Sequence, residues 1–219
     1  MSKIEAVVFD MDGVLIDSEP IWIRRDMEFL KSHGVEVSRE EASRIAGLGG
    51  RETWELIAGW WGENADPEEL QRMCHEEIPL EEHSYADMAM PHLRYLLERL
   101  KQHGLRLAIA SASPHDGIER VLDECGVASY FEFVVSGEDF ERSKPDPAVY
   151  LHALERLGLF SDKVAAMEDS TYGVQAAHAA GLRVVARFDA RFPFDHSEAT
   201  VEVADLLEAA DALVAMAED

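Results

Sequence analysis

The sequence is short of positive charge, of cysteine and of long apolar runs, and each shortage excludes a class of function. Twenty lysines and arginines stand against 44 aspartates and glutamates, giving a net charge of −24. A surface of that sign repels nucleic acid and anionic membranes, so neither is expected as a partner. Two cysteines, Cys74 and Cys125, show no metal or redox spacing. Each sits in a helix-like apolar stretch and reads as a small packed hydrophobe. No apolar run approaches the roughly 20 residues that span a bilayer. The N-terminus enters a strand-like segment almost at once, without a signal-peptide pattern. Together these features lead us to expect the reducing cytoplasm. The nine histidines are scattered without ligand spacing, and there is no internal repeat, low-complexity tract or coiled coil.

What is present falls into two textures. In one, short apolar runs alternate with amphipathic helices. Ile4 to Phe9, Leu105 to Ala110, Phe133 to Val135, Val164 to Met167 and Val184 to Ala186 read as buried strands. Between them lie helical stripes: Leu93, Leu96, Leu97 and Leu100; Ile118, Val121, Leu122 and Cys125; Tyr150, Leu151, Leu154 and Leu157. Near-continuous apolar strands alternating with helices predict a parallel sheet covered on both faces, a doubly wound, Rossmann-like α/β core. The other texture, from about Asp17 to Asp87, shows no strand. Trp54, Ile57 and Trp61 share a helical face, Ser38 to Glu41 fits a capping box, and Asp66-Pro67 with Glu69 is a helix start. A helical block of this length exceeds a normal crossover and predicts an inserted all-helical cap. The expected division is 1–15 with 89–219 as catalytic core and 16–88 as cap. The connections are expected at Gly13 to Pro20 and at about His83 to Pro91.

Open parallel sheets bind ligands at the carboxyl ends of their strands. Asp10-Met11-Asp12-Gly13 follows the first strand. Ser111-Ala112-Ser113-Pro114 follows the second, Ser143-Lys144-Pro145 the third, and Glu168-Asp169-Ser170 the fourth. A carboxylate such as Asp10 can attack phosphorus and divide one difficult displacement into two. Asp12, two residues on, can protonate a leaving oxygen and later activate an incoming one. Glu168 and Asp169 add acidic oxygens, and with Asp10 they form the hard donor set that magnesium prefers. The Ser111 hydroxyl and Ala112 N–H, ahead of a helix start, are natural phosphate donors. Lys144 is the one strongly placed cation. In so acidic a chain, a phosphate site needs both that lysine and a bound metal.

Asp10-Met11-Asp12-Gly13-Val14, Ser111, Lys144-Pro145 and Glu168-Asp169 together resemble the motifs of the haloacid dehalogenase-like hydrolase superfamily, in its phosphatase and phosphomutase branch. The stretch DMDGVLIDSEP looks like the subgroup with a small helical cap, which includes beta-phosphoglucomutase-like proteins and small sugar-phosphate phosphatases. The resemblance implies Asp10 as nucleophile and magnesium ligand, and Asp12 as acid/base with its carbonyl on the metal. It implies Asp169 as a metal ligand, Glu168 as a direct or outer partner, and Ser111 and Lys144 on the transferring phosphoryl group. Gly49-Gly50-Arg51 resembles the cap loop that reaches the site, which makes Arg51 a candidate for a second anionic group. The segment Ala89-Met90-Pro91-His92 departs from the Pro-Gly that many relatives carry there. The expected activity is magnesium-dependent hydrolysis of a small phosphorylated metabolite, a sugar phosphate, by a monomer or weak dimer. The rival is a phosphomutase, which would need cationic groups, with Arg24, Arg25 and Arg51 as candidates, lining the cap. Mutases also commonly carry a histidine soon after the Asp17-Ser18-Glu19-Pro20 stretch. A receiver-type signalling module lacks a helical insert of this size.

Overall fold

The computed structural model describes residues 2–78 and 84–218. Six parallel strands form one sheet: β1 (Ala6–Phe9), β2 (Arg106–Ser111), β3 (Val134–Ser136), β4 (Val164–Glu168), β5 (Arg183–Arg187) and β6 (Val201–Val203). Their order is β3-β2-β1-β4-β5-β6, so the sheet winds outward in both directions from β1. This is the doubly wound order, with its switch point at the carboxyl end of β1. Every residue of β1 and β4 is buried, because helices cover both faces.

Helices α6 (Leu93–Gln102), α7 (His115–Glu124) and α10 (Leu206–Glu218) pack with the face of Val7 and Phe9. Helices α8 (Ala148–Leu157) and α9 (Thr171–Ala179) pack with the face of Ala6 and Val8. The expected leucine stripe of α6 is buried in full. Two assignments shift. Leu151 is 49% exposed, because the buried face of α8 is Val149, Tyr150, Ala153, Leu154 and Leu157 and Leu151 falls outside that arc. Cys125 is only half-buried, because α7 ends at Glu124 and Cys125 serves as its C-cap. Strand β6 was not foreseen: three residues with a charged centre carry no periodic signal.

Between β1 and β2 the described chain carries helices and no strand: α1 (Glu19–Ser32), α2 (Arg39–Ala42), α3 (Gly50–Trp61), α4 (Pro67–Glu77) and α5 (Tyr85–Met88) precede α6. The capping box at Ser38 and Glu41 is formed, and Asp66 caps α4 through the N–H of Glu68. Phe29, Leu30, Ile45, Trp54, Ile57, Leu70 and Cys74 make a separate apolar cluster, so this helical cap has a core of its own. Its two connections lie side by side. Asp17 N–H donates to Met88 O at 2.8 Å, and Met90 N–H donates to Leu15 O at 2.9 Å. His83, at the start of the expected second connection, lies outside the described residues. His92 takes φ of 68°, the left-handed region that glycine fills most easily. His92 thus occupies, as a non-glycine residue, the conformation that the glycine of the Pro-Gly pattern takes most easily.

Candidate active site

The strand ends bring Asp10, Asp12, Ser111, Ala112, Lys144 and Asp169 around one cavity of about 360 Å³. The cap roofs it. A larger groove, about 1080 Å³, runs along the outer side of α1, but none of these groups lines it. The smaller cavity holds the chemistry.

Lys144 is the centre of the floor. Its buried Nζ lies 2.6 Å from Asp10 Oδ1, 2.7 Å from Glu168 Oε1 and 3.0 Å from the carbonyl oxygen of Ala110. Tyr150, fully buried on α8, donates its hydroxyl to Glu168 Oε1 at 2.5 Å. The other oxygen of Glu168 accepts the Asp169 N–H at 3.1 Å. Glu168 is thus saturated inside the protein, whereas Asp10 and Asp169 line the cavity. The charges do not balance locally. Burial alone would drive the Lys144 proton off, but Asp10 and Glu168 hold it on and push the pKa upward. One ammonium cannot neutralise three carboxylates. Burial, with Glu168 and Asp12 adding repulsion against the pull of Lys144, raises Asp10 well above the usual carboxylate range. Burial, Glu168 and Asp10 do the same to Asp169.

Asp12 is held on both oxygens. Ser18, just before α1, donates to Oδ1, and Ser113 donates to Oδ2 at 2.8 Å. Two glycines make room for the acids. Gly13 has φ of 75°, and a Cβ there would lie 1.8 Å from Asp169 Oδ2. A Cβ on Gly173 would lie 2.0 Å from Glu168 Oε2. Gly173→Ala should therefore displace Glu168 and destabilise the protein by about 1–3 kcal/mol. Gly117→Ala on α7, where a Cβ meets nothing within 4 Å, should be neutral or stabilising. Thermal unfolding of the pair checks this; equal behaviour would contradict the packing account.

The cap is closed on the core. A Cβ on Gly47 would meet Ser170 Cβ at 2.5 Å, and one on Gly49 would meet Ser143 Oγ at 2.5 Å. Gly47 N–H donates to Glu19 Oε1 at 2.8 Å, tying that loop to the start of α1. Burial and the nearby Asp12 raise the Glu19 carboxyl to about 7. The roof carries Trp22, Arg25, Asp26, Trp54, Gln71 and His75. Arg51 is not among them. It stands in the first turn of α3 with its side chain 77% exposed, paired with Glu55 at 3.1 Å. Arg24 faces the outer groove. The cap cation at the site is Arg25.

Several contributors were not foreseen from sequence: Tyr150, Ser18, the Ser113 hydroxyl, Glu19 and Asp26; of the three candidate cap arginines, only Arg25 lines the cavity. A further network lies behind the site. Arg187 Nε donates to Gly13 O at 2.7 Å and its Nη2 to Asp189 Oδ2 at 3.1 Å. Arg191 bridges Asp189 and Asp17. His196 Nε2 lies 2.5 Å from the Asp169 carbonyl oxygen. The pairings of Arg187 with Gly13, Arg191 with Asp17, His196 with Asp169, Tyr150 with Glu168 and Ser113 with Asp12 join distant parts of the chain.

Three buried carboxylates, those of Asp10, Glu168 and Asp169, offer oxygens within 4.8 Å of one another. With a single lysine among them, this all-oxygen, over-acidic set fits a hard divalent cation such as Mg²⁺. The other such cluster among the described residues, His115, Glu138 and Asp139, is exposed or half-buried and its groups bond one another.

Comparison with known proteins agrees with this geometry. A family profile for haloacid dehalogenase-like hydrolases matches residues 7–187. The chain is 34% identical over 181 residues to a phosphorylated carbohydrates phosphatase of Thermotoga maritima, covering 81% of this chain and 82% of that one. It is 35% identical over 188 residues to hexitol phosphatase B of Escherichia coli K12, covering 84% and 83%. A solved beta-phosphoglucomutase of Clostridium difficile superposes with a TM-score of 0.79 over 97% of this chain and 99% of that one, at 20% identity, which is a likeness of fold. By motif set, sheet order, capped site and sequence, the chain belongs to the haloacid dehalogenase-like hydrolases.

Proposed function

We propose that the protein is a cytoplasmic, magnesium-dependent phosphatase that hydrolyses a sugar phosphate through an aspartyl-phosphate on Asp10. The observation that carries this reading is the pairing of a lysine-fixed carboxylate with a second, independently held carboxylate at the floor of one small closed cavity. Lys144 fixes Asp10 through Oδ1, which leaves Oδ2 for attack on phosphorus. Asp12, gripped by Ser18 and Ser113, gives a proton to the departing sugar oxygen as the old P–O bond breaks. It then takes a proton from water as the water oxygen attacks phosphorus, releasing Asp10 and inorganic phosphate. Ser111 and the Ala112 N–H bind the phosphoryl oxygens, and Lys144 stabilises their charge. Asp10 and Asp169 would hold Mg²⁺ with the Asp12 carbonyl, while Glu168 orients Lys144 and the Asp169 backbone. Bound there, the ion offsets the negative charge that gathers as phosphate meets carboxylate. The closed cap keeps bulk water from the site.

Hydrolysis is favoured over mutase chemistry by the roof. Lys144 and Arg25 are the only lysine or arginine among the described residues lining the cavity, and Arg25 is paired with Asp26 at 3.0 Å. No second phosphate site of clustered cations is present among these residues. Trp22 stands in the region where mutases commonly carry a histidine. The two thiols, Cys74 and Cys125, are both free, in keeping with a reducing compartment. No helix among the described residues is long and apolar enough to cross a membrane.

Phosphate release from a panel of hexose phosphates, hexitol phosphates, phosphoglycolate and beta-glucose 1-phosphate tests the reading. Release should stop in EDTA and return with Mg²⁺. Full turnover in a metal-stripped sample would overturn the metal's role. Conversion of beta-glucose 1-phosphate to the 6-phosphate without net phosphate release would favour the mutase.

The raised carboxyls also set a pH dependence. A folded protein that binds protons more tightly than the unfolded chain loses stability as pH rises through the shifted range. In EDTA, stability should fall between about pH 5 and pH 7, with Glu19, raised from 4.5 to about 7, contributing on the order of 3 kcal/mol. Glu19→Gln should flatten that fall. Thermal unfolding across the range measures it, and a rise in stability over this window would contradict the assignment.

A further inference from the structure

The roof of the cavity contains an ion pair that the phosphoryl chemistry does not use. Asp26 is a carboxylate on α1 with its side chain only 3% exposed, and it lines the cavity. Its Oδ1 accepts from Arg25 Nε at 3.1 Å and from Arg25 Nη2 at 3.0 Å, with Cys74 Sγ 3.8 Å away. Its Oδ2 has no hydrogen-bond partner among the described residues. Arg25 packs its guanidinium over the Trp22 ring, 5.4 Å from the centroid, and keeps Nη1 unpaired among the described residues. Gln71 and His75 line the same wall. Burial and the nearby Arg25 both lower the pKa of His75 and disfavour its charged form.

We propose that the Arg25–Asp26 pair is the specificity determinant for the part of the substrate remote from the phosphate, reading neutral hydroxyl groups and rejecting a second negative charge. This deepens the phosphatase reading and rests on it. The pair is electrically balanced, so it has no net charge with which to attract another anion. It presents one acceptor, Asp26 Oδ2, and one donor group, Arg25 Nη1, side by side. A hydroxyl both donates and accepts, so adjacent hydroxyls of a sugar or alditol satisfy both at once. The Trp22 and Trp54 rings and the Gln71 amide suit the mixed apolar and polar faces of a carbohydrate. A carboxylate or second phosphate in the same place would bring its charge against Asp26, whose buried carboxylate cannot turn away. That juxtaposition is a device of exclusion as well as of fit.

The test uses two substrates of equal length: a hexitol 6-phosphate and the aldonic acid 6-phosphate that carries a carboxylate at the far end. Wild-type protein with Mg²⁺ should favour the neutral substrate in kcat/KM. Asp26→Asn frees Arg25 to meet an anion, so the preference should fall by about tenfold or more. Arg25→Gln leaves Asp26 unopposed, so the preference should rise. Opposite shifts cannot come from general damage to the fold, which would lower both substrates together. Unchanged preference in an active variant, or shifts of the same sign, overturns the proposal. If Asp26→Asn does not fold, Arg25→Gln decides by whether the preference rises. If the wild-type protein releases phosphate from neither of these compounds nor from any member of the panel above, the phosphatase reading fails instead. The preference is then read by calorimetric binding of the same two compounds to the wild-type and variant proteins, with the same signs required.

Discussion

Asp10→Asn should lower kcat by at least about 10⁴-fold, because the attacking oxygen is lost and no neighbouring group can replace it. Asp12 is held on both oxygens by Ser18 and Ser113, and Glu168 is fully engaged by Lys144, Tyr150 and the Asp169 N–H. Neither can swing into the attacking position without breaking those bonds. The same change should not destabilise the metal-free protein. Asp10 is raised well above the ordinary carboxylate range, first by burial, so its ionised form is unfavourable in a floor already crowded with acids. The neutral amide keeps the shape and removes one charge. Single-turnover rates and thermal unfolding in EDTA, taken together, check both halves. Retained turnover would remove Asp10 as nucleophile. A large loss of stability would mean that the Lys144 pair outweighs the burial of its partner.

Lys144→Ala should have the second large effect, and on two quantities at once. It removes the ammonium from between Asp10 and Glu168, both buried. Breaking such a buried arrangement by taking one side away costs roughly 3–5 kcal/mol of stability. It also removes a fixed positive charge aimed at the transferring phosphoryl group, for which a loss of about 10²–10³ in kcat is expected. A change confined to KM would contradict the second part. Lys144→Met with Glu168→Gln separates the two effects: the second substitution should recover part of the stability and none of the rate, since it removes an unpaired charge without restoring a cation.

How far the molecule could be read from its sequence depended on the range of the physics involved. Strands β1, β2 and β4 declare themselves through continuous apolar runs, and the order of motifs at their ends followed from where parallel sheets present ligands. Asp10, Asp12, Ser111, Lys144 and Asp169 were legible because each stands directly after such a run or in a short loop. In the sequence Tyr150 is one member of an apolar stripe, as it is in the fold; its hydroxyl meets Glu168, 18 residues on, only through the tertiary fold, and spacing along α8 holds no trace of that. The choice among Arg24, Arg25 and Arg51 turned on helix phase. Arg24 and Arg25 differ by 100° around α1, and that angle sends one to the outer groove and the other to the roof. Arg51 begins α3 close to the site in sequence, but an i,i+4 pair with Glu55 keeps it on the solvent face.

The paired connections that join cap to core carry one last consequence. Leu15 to Asp17 leaves the sheet and Met88 to Met90 returns hydrogen-bonded beside it, so the intervening segment starts and finishes at nearly the same point. It has its own apolar cluster around Phe29, Trp54 and Ile57, separate from the clusters on the two faces of the sheet. A module with neighbouring ends can be exchanged, lengthened or reshaped without altering the register of β1 against β2 and β4. On the proposed function, the strand ends of the core carry the reaction, and the cap wall of Arg25 and Asp26 carries the choice of what undergoes it. Transplanting the cap of a relative onto this core, joined at those two connections, should change selectivity and leave the chemistry unchanged.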